Sequence, residues 1–360
     1  MTVVKFALVG CGSIAPTHVR ALGQLSDRAE LIYCVDIVPA RATALAAKFG
    51  IQAKTYGEVL ADPTVHAVIV CTPSGLHAEV GVPALLAGKH VLVEKPMDVS
   101  LEACDLLLDA QRASGRKLGV VFQNRFDDAA QLVRNSLLEG DLGQLILADC
   151  RIPWFRTQAY YDSGDWRGTW SLDGGGCLMN QGIHTIDLMR WSCGPVRSVY
   201  AQARTAAHRR IEVEDLICAT LVFENDSLGT VVAATSLYPG FPARLALHGT
   251  TGSAVLEGGK LATLAVVGRG VIRGESPSAH ALQLAIGGTQ TATIAVEEAP
   301  TRYADPADVW GEGHRRLLLD FIEAIEKGRQ PLVDGVEGRN AVALVRAIYQ
   351  AAATGDVIDL

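Results

Sequence analysis

The 8 cysteines include no CxxC pair, positive charge is in deficit and aromatic residues make up only 6% of the chain. No stretch approaches the roughly 18 continuous apolar residues that a membrane span needs. Each shortage excludes a class of protein. Without closely paired cysteines there is neither a disulfide framework nor a zinc site to read, so Cys11, Cys34, Cys71, Cys104, Cys150, Cys177, Cys193 and Cys218 are expected mostly as small core residues in a reducing compartment. Lys and Arg total 32 against 39 Asp and Glu, a net charge of -7 that repels a polyanionic backbone, so nucleic acid is not an expected partner. The N-terminal residues turn apolar but meet Gly10, Gly12, Pro16 and His18 before any small-residue cleavage site, which leads to an expected cytoplasmic location with no membrane contact. What is present is an ordinary globular composition, 49% hydrophobic over 360 residues, enough for two domains with cores of their own.

Up to residue 123 short apolar runs alternate with helical patterns. Strands are predicted over Lys5–Gly10, Ala29–Asp36, Ala67–Cys71, His90–Val93 and Leu118–Phe122, and helices over Ala15–Leu25, Ala40–Phe49, His77–Ala87 and Ser100–Ala113. Such repetition needs crossover connections and hence a parallel sheet covered on both faces, so residues 1–123 are predicted to form a doubly wound α/β domain. Ser100 ahead of Glu102 and Ala103 reads as a helix start. From Leu145 the pattern changes to strands separated by turns, over Leu145–Ile152, Val196–Ala203, Leu216–Phe223, Gly229–Thr235, Arg244–His248, Ser253–Leu256, Leu261–Val267 and Leu282–Val296, with a hairpin at Glu224-Asn225-Asp226. Residues 124–360 are expected to form a second, α+β domain on a large, mostly antiparallel sheet, closed by helices over Glu312–Lys327 and Gly335–Ala353.

The segment Gly10-Cys11-Gly12-Ser13-Ile14-Ala15 places Gly-x-Gly-x-x-Ala between the first strand and the first helix. Gly10 permits the tight turn, Gly12 lets backbone approach a pyrophosphate, Ala15 allows close packing, and the helix N-terminus attracts phosphate charge. Asp36 ends the second strand, where a carboxylate accepts hydrogen bonds from an adenosine ribose. It repels a 2'-phosphate and so argues for NAD, while Arg41 keeps dual use open. Cys71-Thr72-Pro73 and Glu94-Lys95-Pro96 end strands past the topological switch, where the nicotinamide half belongs. The Lys95 ammonium can there hydrogen-bond a sugar hydroxyl and stabilise charge as hydride leaves carbon; the bland reading is a solvated pair with Glu94. His77 reads first as a helix-start hydrogen bonder.

Further on, Asn180, His184 and Asp187 fall at i, i+4 and i+7 of a helical pattern that follows Gly174-Gly175-Gly176. Two readings fit: a buried polar network, or His184 taking a proton from a substrate alcohol while Asn180 holds a neighbouring hydroxyl and Asp187 orients the ring. Metal binding is disfavoured, since Asn is a poor ligand and no Cys/His set completes a site. Trp154-Phe155-Arg156, Tyr160-Tyr161-Asp162 and Trp166-Arg167-Gly168-Thr169-Trp170 form the densest aromatic and arginine stretch, suited to sugar faces and anions, with core packing as the alternative for each ring.

Taken together, Gly10-Cys11-Gly12, Cys71-Thr72-Pro73, Glu94-Lys95-Pro96, the glycine-rich His184 helix and the closing helix pair resemble the Gfo/Idh/MocA oxidoreductases over nearly the whole chain. The resemblance implies an N-terminal Rossmann domain and a C-terminal domain on an open-faced mixed sheet, assembled as a homodimer or homotetramer. It implies Lys95 and His184 as catalytic pair, joined by Asn180, and NAD held by Gly10, Gly12, Ser13, Ile14, Asp36, Thr72, Pro73, His77, Glu94, Lys95, Asn124, Trp166 and Arg167. Many sugar and inositol dehydrogenases of the family carry Asp where this chain has Asn180. The segments around Ile14–His18, Phe122–Arg125, Gln158–Tyr161 and Trp166–Trp170 are similar to the sugar 3-dehydrogenase branch, which includes UDP-N-acetylglucosaminuronate 3-dehydrogenases. That likeness implies oxidation of a C3 hydroxyl on a nucleotide sugar or glycoside, with 2-oxoglutarate as a candidate hydride acceptor and Lys95, Arg125, Arg156, Tyr161, Asn180 and His184 as substrate contacts. The competing expectations are an NADP(H)-linked sugar or dihydrodiol reductase and, outside the enzymes, a non-catalytic dinucleotide-binding regulator.

Overall fold

A computed structural model describes residues 3–273 and 312–360, so the strand expected over 282–296 lies outside the described residues. The chain forms two units. The first gathers residues 3–126, 164–180 and 312–343. Its six strands are β1 (Val4–Val9), β2 (Ala29–Val35), β3 (Gln52–Ala53), β4 (Ala67–Val70), β5 (His90–Val93) and β6 (Leu118–Val120), all parallel, in the order β3-β2-β1-β4-β5-β6. Both faces of the sheet are covered, which is why its inner strands read as unbroken apolar runs; Phe6, Leu8, Ile69 and Leu92 are wholly buried. The order reverses between β1 and β4, and the carboxyl ends of these strands flank the crevice where such sheets bind ligands.

The helices of this unit begin as local chemistry dictates. Between the strands run α1 (Ala15–Gly23), α2 (Pro39–Phe49), α3 (Tyr56–Ala61), α4 (His77–Leu86) and α5 (Leu101–Ser114). Ser100 caps α5 by accepting from Ala103 N at 3.1 Å. The short α3 escaped the periodicity reading, yet Thr55 and Glu58 form a reciprocal capping box at its start. The amphipathic helix Glu312–Lys327 sends Leu317, Leu318, Phe321 and Ile322 into the core that holds Phe6 and Leu8.

The second unit carries nine strands, β7 (Leu145–Pro153), β8 (Val196–Arg204), β9 (Leu216–Phe223), β10 (Leu228–Ala234), β11 (Arg244–Gly249), β12 (Gly252–Glu257), β13 (Lys260–Val266), β14 (Gly270–Arg273) and β15 (Ile358–Asp359). Their order is β14-β13-β12-β11-β7-β10-β9-β8-β15, antiparallel throughout except for β7 with β10. Strand β9 shows the one-sided burial of such a sheet: Ile217, Ala219, Leu221 and Phe223 face the core while Cys218 and Thr220 are exposed. The expected hairpin is present, with Phe223 N donating to Ser227 O at 2.9 Å and Asp226 at φ +63°. All cysteines are free; Cys218 stands exposed and Cys11 half-buried, the others being core residues. Among the described residues no helix is long and apolar enough to cross a membrane.

Candidate active site

The two glycines after β1 differ in what they do. Gly10 has φ +99°, and a Cβ there would lie 2.5 Å from the Cys71 carbonyl oxygen, so the turn admits no side chain. At Gly12 an added Cβ would meet nothing within 4 Å: the missing side chain leaves room above the backbone rather than relieving a clash. No side chain caps α1, Pro16 stands in its first turn, and no described residue accepts from the N–H groups of Gly12, Ser13 or Ile14. Three unanswered donors beside open space fit a pyrophosphate. Asp36 stands across the loop at the end of β2, its Oδ2 accepting from Cys11 N at 2.8 Å and its Oδ1 from Val38 N at 2.8 Å, where a ribose hydroxyl can reach it.

At the ends of β4 and β5, Thr72 and Pro73 are half-buried, and the Thr72 hydroxyl is enclosed without a hydrogen-bond partner among the described residues. His77 was expected against the cofactor. The structure instead turns both ring nitrogens to backbone carbonyls, Nδ1 2.8 Å from Pro96 O and Nε2 3.0 Å from Thr72 O, so this buried ring clamps the two strand ends together. Asp98 supports the same corner by accepting from Ala78 N at 2.8 Å and Val99 N at 2.6 Å. Glu94 is buried, with Oε1 2.7 Å from His18 Nε2, and His18 packs edge-on against His314 with centroids 5.7 Å apart. Burial alone would raise the Glu94 carboxyl; the His18 hydrogen bond and the charges of His18, His314 and Lys95 outweigh it and hold the carboxyl at about 2. Burial presses the His314 imidazole down to about 4. Neither histidine was anticipated, although His18 stands in the buried stripe of α1 beside Ala15, Val19 and Leu22, where an apolar residue would be ordinary.

Lys95 is half-buried and its Nζ donates to the Asn180 carbonyl at 2.8 Å. The partner segment is seated by close glycine contacts: Gly75 N donates to Leu172 O at 2.9 Å, and a Cβ on Gly174, at φ +80°, would fall 2.6 Å from Val99. Asn180 Nδ2 donates to Asp173 Oδ1 at 2.5 Å, and Gly168 N to Asp173 Oδ2 at 2.8 Å. Asp173 is a site residue that sequence reasoning missed; its signal is a carboxylate immediately ahead of the triple glycine. Burial pushes its carboxyl up to about 6 against those hydrogen bonds and the pull of Lys95 and Arg167. Arg167 is half-buried over the Trp166 ring at 4.6 Å, and Asn124 lies half-buried in the turn after β6. Arg125 departs from expectation: it is wholly buried and its Nη2 donates to Glu337 at 2.8 Å, which leaves no exposed guanidinium for a substrate anion.

From Cys177 to Gly182 the backbone is a π-helical turn, and α-helix proper runs over Ile183–Cys193. The α register assumed for Asn180 therefore begins only at Ile183; such widened turns recur at functional sites. His184 is half-buried, whereas Asp187 is buried. In the second unit Arg156 lies over Trp154 at 5.2 Å and Tyr160 at 5.4 Å, with Nε enclosed and without a hydrogen-bond partner among the described residues. Its carbonyl meets His208 Nε2 at 2.8 Å; His208 Nδ1 meets Asp215 at 2.9 Å, and Asp215 also accepts the N–H groups of Ala206, Ala207 and His208. Tyr161, expected against substrate, is buried with its hydroxyl 2.7 Å from Thr235 Oγ1 and its ring against His208, and so belongs to this scaffold.

A model of the oxidoreductase family's NAD-binding Rossmann fold matches residues 4–122, and one of the GFO/IDH/MocA C-terminal domain matches residues 130–255. The chain belongs to the Gfo/Idh/MocA family. This Gfo/Idh/MocA member is 31% identical to the WlbA dehydrogenase from Bordetella pertussis, solved in complex with NADH and UDP-GlcNAcA, with 99% of this chain and 98% of that one covered at a TM-score of 0.84. The WlbA dehydrogenase from Chromobacterium violaceum, solved with the same two molecules, matches at 31% identity, 99% and 96% coverage and a TM-score of 0.83. Inositol 2-dehydrogenase of Rhizobium meliloti (strain 1021) is 26% identical over 97% of each chain. The family member described here is an NAD-dependent oxidoreductase, and the open loop at Gly12 with Asp36 beside it fits that cofactor.

Proposed function

We propose that this enzyme oxidises the C3 hydroxyl of a pyranose carried on a nucleotide, giving a 3-keto sugar. The observation that carries the reading is the Lys95 ammonium at the carboxyl end of β5, held on the Asn180 carbonyl one helical turn ahead of His184. The WlbA likeness over the full chain supports a nucleotide sugar rather than inositol. Bound NAD supplies the acceptor for the two electrons and hydrogen that leave C3 as hydride. The hydroxyl proton passes to the Lys95 and His184 pair, with Lys95 stabilising the alkoxide charge while it lasts. Asn180 holds a neighbouring hydroxyl. Arg156, stacked on two rings with an unanswered Nε, and Arg167 take the anionic groups of the substrate.

A keto acid such as 2-oxoglutarate accepts the hydride in a second half-reaction that restores NAD. The enzyme works in the cytoplasm, as a homodimer or homotetramer paired through the open face of the large sheet. Isotope transfer tests the carbon. Substrate deuterated at C3 should pass deuterium to the nicotinamide and slow turnover, and substrate deuterated at C4 should do neither. Transfer from C4 instead would replace C3 in this reading.

A further inference from the structure

An amide side chain can ordinarily sit either way round, because its oxygen and nitrogen ends have the same shape. At Asn180 the choice is made. Asp173 is 2% exposed and its carboxylate only accepts: Oδ2 takes the Gly168 N–H at 2.8 Å and Oδ1 takes Asn180 Nδ2 at 2.5 Å. Reversal would set two oxygens against each other, so the NH2 end must face Asp173 and Oδ1 must face away. No described residue donates to that oxygen, which is not enclosed. The backbone of the same residue is fixed as well, by Lys95 Nζ on its carbonyl at 2.8 Å. We infer that Asp173 is a positioning residue, holding Asn180 so that its amide oxygen serves as a dedicated acceptor for the sugar hydroxyl next to the one oxidised.

The inference rests on the sugar-oxidation reading for its substrate, and the orientation itself does not. The charged groups facing Asp173 are Lys95 and Arg167, both of which favour its ionised form, while burial raises it to about 6. Once protonated, the carboxyl can donate, and the amide is free to turn. The consequence is a coupling between the ionisation of a buried acid and the acceptor offered to substrate.

Two measurements test it. The first is kinetic. Asp173→Asn should lower kcat/KM by about tenfold or more, on the order of one hydrogen bond to a charged group, with NADH affinity unchanged and the acid limb of the pH profile moved. The exchange variant Asp173→Asn with Asn180→Asp restores an amide-carboxylate pair of reversed polarity and again turns an acceptor outward, so it should recover most of that loss. A single variant matching the wild type in kcat/KM and pH profile, or an exchange variant no better than a folded single one, would overturn the role. The second needs no substrate: in protein labelled with 15N at asparagine, the Asn180 side-chain NH2 signals, assigned by their loss in Asn180→Ala, should shift with one midpoint near pH 6. Signals left unmoved by Asp173→Asn would overturn the contact that sets the orientation, and signals that do not titrate would overturn its coupling to pH. Wild-type protein inactive on every sugar removes the sugar reading alone, leaving the response of the NH2 signals to Asp173→Asn to decide whether Asp173 holds the amide.

Discussion

Adding one methyl group at Gly10 and, separately, at Gly12 divides folding from cofactor binding. At Gly10 the backbone sits at φ +99° and the new Cβ meets the Cys71 carbonyl oxygen at 2.5 Å, its carbon at 2.6 Å and Thr72 N at 2.8 Å, none of them a flexible side-chain end. Backbone strain of about 1–3 kcal/mol and overpacking of about 1–3 kcal/mol together cost about 2–6 kcal/mol. For a unit of this size, Tm should fall by roughly 5–20 °C. At Gly12 the same methyl touches nothing within 4 Å, so Gly12→Ala should leave the Tm of cofactor-free protein within about 1–2 °C of the wild type. It takes up open space at the loop where the N–H groups of Gly12, Ser13 and Ile14 meet no acceptor among the described residues. Loss of two charge-assisted hydrogen bonds there is worth about 3 kcal/mol, so NADH should bind roughly 100-fold more weakly. Thermal unfolding with and without NADH, together with calorimetric titration, reads both effects. Wild-type NADH affinity in Gly12→Ala would refute the loop as the pyrophosphate seat, and an unchanged Tm in Gly10→Ala would refute the close contact.

Lys95→Met and His184→Asn should each reduce kcat by about 10²–10⁴, and in His184→Asn NADH fluorescence titrations should stay within a few-fold of the wild type, since general acid-base work is lost and the phosphate loop is intact. Glu94 is held at about 2 in the fold against an ordinary 4.5, so its ionised form stabilises the native state above pH 4.5 and that contribution disappears as pH falls through 2. The contribution is on the order of 3 kcal/mol, and Glu94→Gln should flatten this part of the acid unfolding curve followed by circular dichroism. Asp36→Ser removes the charge that opposes a 2'-phosphate and should raise the NADP-to-NAD ratio of kcat/KM by about tenfold or more in steady-state assays.

Long regular patterns were open to reading from residues alone. The inner strands of the parallel sheet are buried on both faces and announce themselves as apolar runs, and Ser100 marks the start of α5 by its own side chain. The acceptor at Asp36 and the ammonium at Lys95 were legible because both end strands at the ligand-binding edge of such a sheet. Pairings distant in sequence were not. His18 meets Glu94, Arg125 meets Glu337 and Tyr161 meets Thr235 only because the fold brings them together, and each pairing gives a residue a task that local sequence does not specify. Asp173 and Asn180 are close in sequence, yet the π turn from Cys177 breaks the α register by which their contact could have been counted.

Absorbance at 340 nm of the purified protein, recorded before and after adding UDP-sugars, free sugars and glycosides with NAD, tests the oxidation itself. A rise with a nucleotide sugar carrying a carboxylate, reversed by 2-oxoglutarate, is the expected result. No rise with any sugar in protein shown to bind NADH would contradict it.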